Sequence, residues 1–409
     1  MNRAYHGVRQ QRCAGGVPTV RFIKRLLIGL VILVGAGLAA MYVADPTLTT
    51  RLVRLPFGGG SGPEETVSGG PAAVLPVAAP GARSITAAAL EAAVEYGAQT
   101  GSQALIVYRD GAIQLEHYYP GYDAGTRTPT QSMHKSVLAL VVGIAIRDGF
   151  IHSVDDPAAR YLPEWAGDAR AKITLRDLLQ QASGLDFPTV GFNPVGGFFE
   201  LMLGGDIAPI ALGQPAVEAP GTRFDYNSIN PEVLGLVLER ATGRRYASYL
   251  SDALWKRIGA SDAAVVLDSE EKGVPRFFCC LNATARSWLQ VGLLHIHAGQ
   301  WNGEQVVPAD WIRDIQAPSA AYPNYGYLTW LGNQYEAQRY YNHKTRTSVR
   351  QSAPFAAPDL VYFDGFGGQR VYAVPSLGLV IVRTGAIATD WDEARLPNLV
   401  IGGIGAPAP

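Results

Sequence analysis

Alternating and continuous hydrophobic runs predict strands near both ends of the chain and helices between them. Apolar or alternating runs at 104–108 and 113–118 flank Asp110-Gly111, a pair typical of a β-hairpin turn. Three later runs also have strand character, at 360–363, 370–374 and 379–383. Helical periodicity occurs at 86–96, 132–147, 174–181, 231–242 and 283–298. This order predicts an α/β (α+β) fold: a central antiparallel sheet from both chain ends, flanked by helices, with a mostly helical insertion at about 150–300.

The first eighty residues have a different pattern. Residues 1–25 carry six basic residues and no acid, and 26–44 contain no charge. A helix over 26–44 would extend about 28 Å, which is close to the thickness of a bilayer core. This predicts a transmembrane anchor with a basic cytoplasmic tip, and a cleaved signal segment is the alternative. The interval 45–83 is rich in Pro and Gly and predicts a linker, followed by one folded domain at 84–405.

The positive-inside rule predicts that everything after the anchor is exported. In a bacterium, the folded domain would then lie in the periplasm on the inner membrane, or be secreted if the segment is cleaved. Without residues 1–25, the chain has 28 basic and 35 acidic residues, which argues against a nucleic-acid partner. A composition with 48% hydrophobic and 17% charged residues excludes a disordered chain and a multi-pass membrane protein.

Cysteine and histidine are sparse. Cys13 precedes the apolar segment, and Cys279 and Cys280 are adjacent. Because a disulfide between neighbouring residues is uncommon, we expect the pair to be two small buried thiols. Neither a zinc-site spacing nor an H-E-x-x-H sequence occurs, so the sequence predicts no metal and no cofactor.

Ser132 and Lys135 are the first residues that indicate a chemistry. They open an apolar helix and lie on one face of it, three residues apart. Unpaired N–H groups at a helix start favour an oxyanion, and a lysine desolvated by an apolar helix can act as a base. The alternative is an N-cap serine with an outward lysine. A second match, Ser269 and Lys272, lies in an acidic stretch and predicts a solvated turn.

Residues 220–230 read P-G-T-R-F-D-Y-N-S-I-N and place Tyr226 before a helix. With S-x-x-K, this segment resembles the serine hydrolases of the penicillin-recognising fold. These include class C β-lactamases, D-alanyl-D-alanine peptidases, related esterases and the 6-aminohexanoate-dimer hydrolases. The resemblance covers about 90–390 and is strongest to the last branch. At 178–185 the chain reads L-L-Q-Q-A-S-G-L, with Gln181 where the family usually has His.

The resemblance implies that Ser132 is the nucleophile, Lys135 its proton acceptor and Tyr226 the proton shuttle to the leaving group. A phenol beside an ammonium group would have a lowered pKa, so we expect Tyr226 to be able to act as an acid or a base near neutral pH. Ser228 stands where the family motif has Asn, and is therefore the predicted substrate-binding residue. Asn227 and Asn230 lie one place before it and two places after it.

The family's third motif, K-T-G, is absent. His343-Lys344-Thr345-Arg346 lies in a charged loop and is not a good substitute. Phe366-Gly367-Gly368 lies between two strand-like runs and is the better one. In this register the Gln369 N–H completes an oxyanion hole with the Ser132 N–H, and a one-residue slip would assign that role to Gly368. Phe366 in place of Lys makes the pocket less cationic.

The sequence therefore predicts a membrane-tethered, exported serine hydrolase that cleaves a small ester, amide or short peptide through an acyl-enzyme. One alternative is a β-lactamase or a D-alanyl-D-alanine peptidase acting on cell-wall peptides. An alternative of another class is a catalytically silent homologue that binds peptidoglycan.

Overall fold

A computed structural model describes residues 18–54, 62–187, 197–344 and 347–405. The chain divides into two units, Met1–Gly60 and Ser61–Pro409. In the first unit, α1 (Pro18–Ala44) and α2 (Pro46–Arg54) are helices. The stretch Phe22–Ala44 has a mean hydropathy of 2.5 and none of it is buried. It is long and apolar enough to cross a membrane, and a signal sequence has the same properties.

The second unit contains the remaining elements. Its strands are β1 (Glu64–Val67), β2 (Ser102–Arg109), β3 (Ala112–Tyr118), β4 (Arg127–Pro129), β5 (Ala263–Val266), β6 (Leu281–Thr284), β7 (Gln300–Trp301), β8 (Glu304–Gln305), β9 (Trp330–Leu331), β10 (Gln338–Tyr340), β11 (Ser348–Arg350), β12 (Val361–Gly365), β13 (Gln369–Val374) and β14 (Leu379–Gly385). Its helices are α3 (Ala87–Gln99), α4 (His134–Arg147), α5 (Leu175–Leu179), α6 (Phe198–Leu203), α7 (Ala208–Leu212), α8 (Ile229–Thr242), α9 (Tyr246–Leu250), α10 (Ala285–Ile296), α11 (Ala309–Ile315) and α12 (Arg395–Gly402).

The main sheet is six-stranded and antiparallel, in the order β3-β2-β14-β13-β12-β9. The early hairpin β2–β3 joins the late strands through β14, where Val107 pairs with Ile381. Between the hairpin and the late strands, the chain forms most of its helices. The predicted fold class, a sheet built from both chain ends with a helical insertion, is confirmed.

Two hydrophobic cores form because successive strand residues point to opposite faces of this sheet. Ile106 and Val382 belong to one core, together with residues of α4, α8 and α10. Val107 and Ile381 belong to the other, together with residues of α3 and α12. The sheet is therefore covered on both faces, and α4 is apolar on nearly every side because it lies inside the larger core.

A second, four-stranded sheet has the order β1-β5-β6-β4. Its strands β4 and β6 pair between Thr128 and Ala283. This pairing brings the residues that follow β4, including Ser132, next to the residues that precede β6. The interval 45–83, predicted as a linker, includes α2 and the paired strand β1, so regular structure begins earlier than its composition indicates.

The expectation that Cys279 and Cys280 are separate thiols is wrong, because the two sulfur atoms form a disulfide. Cys280 has a positive φ of 74°, a conformation that few residues other than Gly adopt. The turn in the backbone at this point lets neighbouring side chains meet. Hydrophobic periodicity carries no information about such a turn, so the sequence predicted two free thiols, the commoner state of adjacent cysteines.

Candidate active site

Ser132 lies in a 3₁₀ turn, Gln131–Met133, which leads directly into α4. The helix predicted over 132–147 therefore begins as α-helix two residues later, at His134. Gln131 has a positive φ of 53°, so the backbone turns sharply immediately before the serine. The strand β4 and the buried helix hold the two sides of this turn, and the serine lies at the wall of a cavity.

Lys135 is the central charged group of the site. Its side chain is buried, and its Nζ lies 2.8 Å from Ser132 Oγ and 2.6 Å from the carbonyl oxygen of Phe278. Burial lowers the pKa of Lys135 from 10.5 to about 7, although nearby carboxylates oppose the shift. A substantial fraction of the amine is therefore neutral at neutral pH and able to accept a proton from the serine.

Tyr226 reaches the same point from the segment before α8. Its phenol is within hydrogen-bonding reach of Ser132, and its ring centroid lies 4.8 Å from Lys135 Nζ. Its backbone N–H donates to Tyr341 O at 3.1 Å, and its ring packs 5.5 Å from that of Trp330. The structure thus brings together the three side chains that the sequence proposed as catalytic.

The expected lowering of the Tyr226 pKa is wrong. Burial raises this pKa well above its usual 10.0, and the carboxylate of Asp364 raises it further. Lys135 does not offset these effects, because its own pKa is low enough for it to lose its charge near neutral pH. The phenol consequently stays protonated and is suited to donate a proton.

The cavity that contains Ser132 has a volume of about 430 Å³. Its walls are formed by Gln131, Ser132, Phe187, Phe198, Met202, Tyr226, Ser228, Phe278, Cys279, Tyr341, Asn342, Thr347, Asp364 and Phe366. Most of these residues are aromatic or otherwise apolar. Among the residues that the structure describes, the wall contains one carboxylate, Asp364, and no Lys, Arg or His.

Ser228, the predicted substrate-binding residue, does line this cavity. The two asparagines beside it have other roles. Asn227 Nδ2 donates to Leu185 O at 3.0 Å, and Asn230 Nδ2 donates to Gln181 Oε1 at 2.8 Å. Gln181, which stands where the family usually has His, also accepts from the Asn227 N–H at 2.9 Å. These amides hold the loop that carries Tyr226.

The structure does not place Gln369 or Gly368 in the wall of this cavity. Gln369 is buried and pairs with Gly365, and its side-chain amide exchanges two hydrogen bonds with the backbone of Gly385. Gly365, at the end of β12, lies so close to the turn that carries Ser132 that a Cβ there would be 2.2 Å from Thr130 O. The sequence signal that could have identified this contact is a glycine at the end of a strand.

Four buried charges form a network that includes Asp364 in the cavity wall. Asp364 forms ion pairs with Arg339 at 2.5 Å and with Arg370 at 2.8 Å, and Arg370 also pairs with Glu393 at 2.6 Å. Tyr341 Oη donates to Asp364 at 2.9 Å. Two cations thus balance two carboxylates. The network holds the carboxylate of Asp364 at the wall of the cavity, where it adds to the raised pKa of Tyr226 and partly opposes the lowering of the Lys135 pKa.

The motifs that the sequence analysis set aside lie elsewhere. Lys272 is half exposed, and its Nζ lies 3.9 Å from Asp206, as expected for a solvated turn. Lys344 forms an ion pair with Asp186, whereas Thr345 and Arg346 lie outside the described residues. In the part of the chain that the structure describes, no group of three or more His, Cys, Asp or Glu side chains could hold a metal ion.

Comparisons with known proteins place this architecture in a family. The family model for Beta-lactamase matches residues 87–387. A curated relative, the 6-aminohexanoate-dimer hydrolase of Paenarthrobacter ureafaciens, is 27% identical over 230 residues, which cover 54% of this chain and 58% of the relative. The chain therefore matches little more than half the length of that relative. Matches to Protein flp of Staphylococcus aureus strains are shorter, at 20–22% identity over about 40% of this chain.

Solved structures show the same fold. A Bacillus anthracis protein, provisionally described as a 6-aminohexanoate-dimer hydrolase, superposes with a TM-score of 0.67 at 20% identity, covering 83% of this chain and 90% of that one. A family VIII carboxylesterase superposes with a TM-score of 0.59 at 17% identity, covering 80% and 98%. Together with the family match over most of the length, these findings establish that the chain belongs to the Beta-lactamase family of hydrolases.

Proposed function

We propose that this protein is a serine hydrolase that cleaves an ester or a linear amide through an acyl-enzyme. The observation that carries the proposal is the contact of Ser132 Oγ with the buried amine of Lys135 at 2.8 Å, with the phenol of Tyr226 in reach of the same oxygen. A nucleophile, a base of low pKa and a protonated acid at one cavity wall are the groups that acyl transfer requires.

In the proposed first step, neutral Lys135 accepts the proton of Ser132 as Oγ attacks the substrate carbonyl carbon. The C–O π electrons move to the carbonyl oxygen and form a tetrahedral oxyanion. When the oxyanion collapses, Tyr226 gives its proton to the leaving amine or alcohol and regains one from the Lys135 ammonium group. Water then attacks the acyl-enzyme by the reverse sequence, releasing the acid and restoring Ser132.

For the oxyanion hole, we propose the N–H groups of Ser132 and Phe366 in place of the predicted Gln369 or Gly368. Phe366 lines the cavity and directly follows Gly365, whose backbone lies against Thr130, next to the turn that carries Ser132. Gln369 lies across the hairpin with its side chain committed to Gly385. A donor at Phe366 is therefore nearer to the carbonyl that Ser132 attacks.

The lining of the cavity suits a substrate that carries no charge near the scissile bond. Phe187, Phe198, Met202 and Phe366 offer an apolar surface, which suits a neutral acyl group. A substrate carboxylate would approach Asp364 and would meet no basic side chain among the described wall residues. This disfavours the β-lactamase and D-alanyl-D-alanine peptidase alternatives, whose substrates carry such a carboxylate.

We further propose that the folded domain at 84–405 is exported, either tethered by 26–44 or released after cleavage. Six basic residues precede the uncharged apolar segment 26–44, as in proteins that keep their N-terminus in the cytoplasm. The disulfide between Cys279 and Cys280 also suits an oxidising compartment such as the bacterial periplasm.

Hydrolysis of a matched substrate panel by the full chain in detergent tests the proposal. We expect turnover of a neutral ester such as 4-nitrophenyl butyrate, a lower rate for the same ester with a terminal carboxylate, and no turnover by Ser132→Ala. Preferential turnover of a penicillin or of a D-alanyl-D-alanine peptide would support the cell-wall alternative. Peptidoglycan binding without turnover of any substrate would support the silent homologue.

A further inference from the structure

The loop 277–280 contributes a backbone carbonyl, not a side chain, to the environment of the general base. We propose that the Cys279–Cys280 disulfide is a positioning element of the catalytic site, which holds this loop against Lys135 and against the turn that carries Ser132. The proposal rests on the function proposed above. It adds a requirement that the three catalytic side chains alone do not impose, namely an oxidised cysteine pair.

Two consecutive carbonyl groups of this loop bind two consecutive residues of α4. Phe278 O accepts from Lys135 Nζ at 2.6 Å, and Cys279 O lies 2.6 Å from the His134 ring nitrogen Nδ1. Burial lowers the pKa of His134 to about 4, so the ring is neutral and donates from Nδ1. Its Nε2 then accepts from Tyr246 Oη at 2.7 Å. The loop therefore fixes the start of α4 through its backbone.

The same loop also bonds to the residue before the nucleophile. The Cys280 N–H donates to Gln131 O at 3.3 Å, and Cys280 O accepts from Val266 N–H at 3.0 Å. At the other end of the loop, the Phe277 N–H donates to Glu232 at 2.9 Å. Cys280 thus links the nucleophile turn on one side to β5 on the other.

A covalent link between neighbouring side chains explains how the loop keeps this shape. Cys280 has a φ of 74°, which costs a residue other than Gly conformational free energy. Closure of the small disulfide ring restricts rotation of the peptide between the cysteines and removes many competing conformations of the loop. With the ring open, Cys280 can return to a negative φ, which turns its N–H away from Gln131 O.

The position of the disulfide connects this change to the reaction. Phe278 and Cys279 both line the cavity, so a displaced loop admits water beside Lys135 and removes the carbonyl that orients its amine. Hydration reverses the burial that lowers the pKa of Lys135 to about 7. A rise of one unit would reduce the neutral fraction at pH 7 from about a half to about a tenth, a roughly fivefold loss of reactive enzyme.

The test uses the full chain in detergent, before and after treatment with a trialkylphosphine. The disulfide takes up two electrons and two protons to give two thiols, and the phosphine becomes its oxide with an oxygen atom from water. The rate of Ser132 labelling by a fluorophosphonate is then measured from pH 5 to 10. We expect the reduced protein to react at least fivefold more slowly at pH 7, with the two forms converging at high pH.

The double variant Cys279→Ala/Cys280→Ala, which cannot form the disulfide, is the matched comparison for the chemically reduced protein. It should react as slowly as the reduced protein and should not respond to the phosphine, and its thermal unfolding transition shows whether it is folded. If the variant does not fold, the comparison of oxidised and reduced wild type still tests the role of the disulfide.

Equal rates and equal pH profiles for oxidised and reduced protein would overturn the proposed role while leaving the serine hydrolase intact. Alkylation of Cys279 and Cys280 under denaturing conditions without reductant would also overturn it. If Ser132 is labelled in neither state at any pH, the proposed function fails, and the positioning role fails with it.

Discussion

The buried amine of Lys135 predicts a specific pH dependence for the acylation of Ser132. Only the neutral amine accepts the serine proton, so the rate constant should follow the fraction of Lys135 that is deprotonated. The perturbation is pH itself, which changes the protonation of this group without a mutation. Tyr226, whose phenol is also within reach of Ser132, should not titrate in this range, because its pKa is raised well above 10.0.

The expected size of the effect follows from the pKa of about 7. The neutral fraction is then about one half at pH 7, about a tenth at pH 6 and about a hundredth at pH 5. The rate should therefore rise about fiftyfold between pH 5 and pH 7 and should level off above pH 8. If the amine had the ordinary pKa of 10.5, the rate would still rise about tenfold between pH 8 and pH 9.

Asp364→Asn provides a second perturbation of the same group. The carboxylate of Asp364 raises the pKa of Lys135. Its removal should therefore move the rising part of the pH–rate profile, the pH limb, to lower pH. The control is Glu91→Gln, which removes an exposed carboxylate from α3 and should leave the limb where it is. Thermal unfolding of both variants is measured in parallel, because Asp364 belongs to the buried ion network.

The assay is the pseudo-first-order rate of fluorophosphonate labelling, followed by intact mass and corrected for hydrolysis of the reagent at each pH. A rate that is constant from pH 5 to pH 8, or that falls as pH rises, would refute the role of Lys135 as base. If the pH limb of Asp364→Asn moved to higher pH, the carboxylate of Asp364 would not be what raises the pKa of Lys135.

Other predictions concern proton transfer and packing. Tyr226→Phe should reduce turnover of an alkyl butyrate, whose alkoxide leaving group needs a proton, by about 10²-fold or more with little change in KM, measured by steady-state kinetics. Gly143→Ala should lower the free energy of unfolding by about 1–3 kcal/mol in urea titrations, because the new Cβ would lie 2.1 Å from Trp311, whereas Gly167→Ala, in open space, should not. Glu393→Ala should cost about 3–5 kcal/mol by the same measurement, because it leaves buried arginines unbalanced.

The meeting of the three proposed catalytic side chains was predictable because their signals are local or follow a strong turn. The spacing of Ser132 and Lys135 needs only one helical turn, and Tyr226 follows a Pro-Gly turn that is visible in the sequence. The fold class was equally accessible, since strand patterns at both chain ends with helices between them are typical of a sheet that both ends share. Their actual pairing, with β14 between β2 and β13, is a tertiary property that periodicity does not specify.

Features that depend on burial or on register were not predictable. The pKa of Tyr226 depends on how deeply the ring is buried and on Asp364, a residue more than a hundred positions away. Whether Gln369 or Phe366 is assigned the second N–H of the oxyanion hole depends on where the hairpin between β12 and β13 turns. A shift of three residues replaces Gln369, whose side-chain amide is buried, by Phe366, which lines the cavity. Pairing of the adjacent cysteines depends on a backbone conformation that no pattern of polar and apolar residues encodes.

Intact-mass analysis of the full chain after fluorophosphonate treatment shows whether Ser132 is a nucleophile. We expect a single adduct, located on Ser132 by peptide mapping. It should be undetectable in Ser132→Ala and should form far more slowly in Lys135→Met. A Ser269→Ala variant, which removes the other S-x-x-K serine, should label like the wild type. Unmodified wild-type protein at pH 8, or an adduct that persists in Ser132→Ala, would show that Ser132 is not the nucleophile.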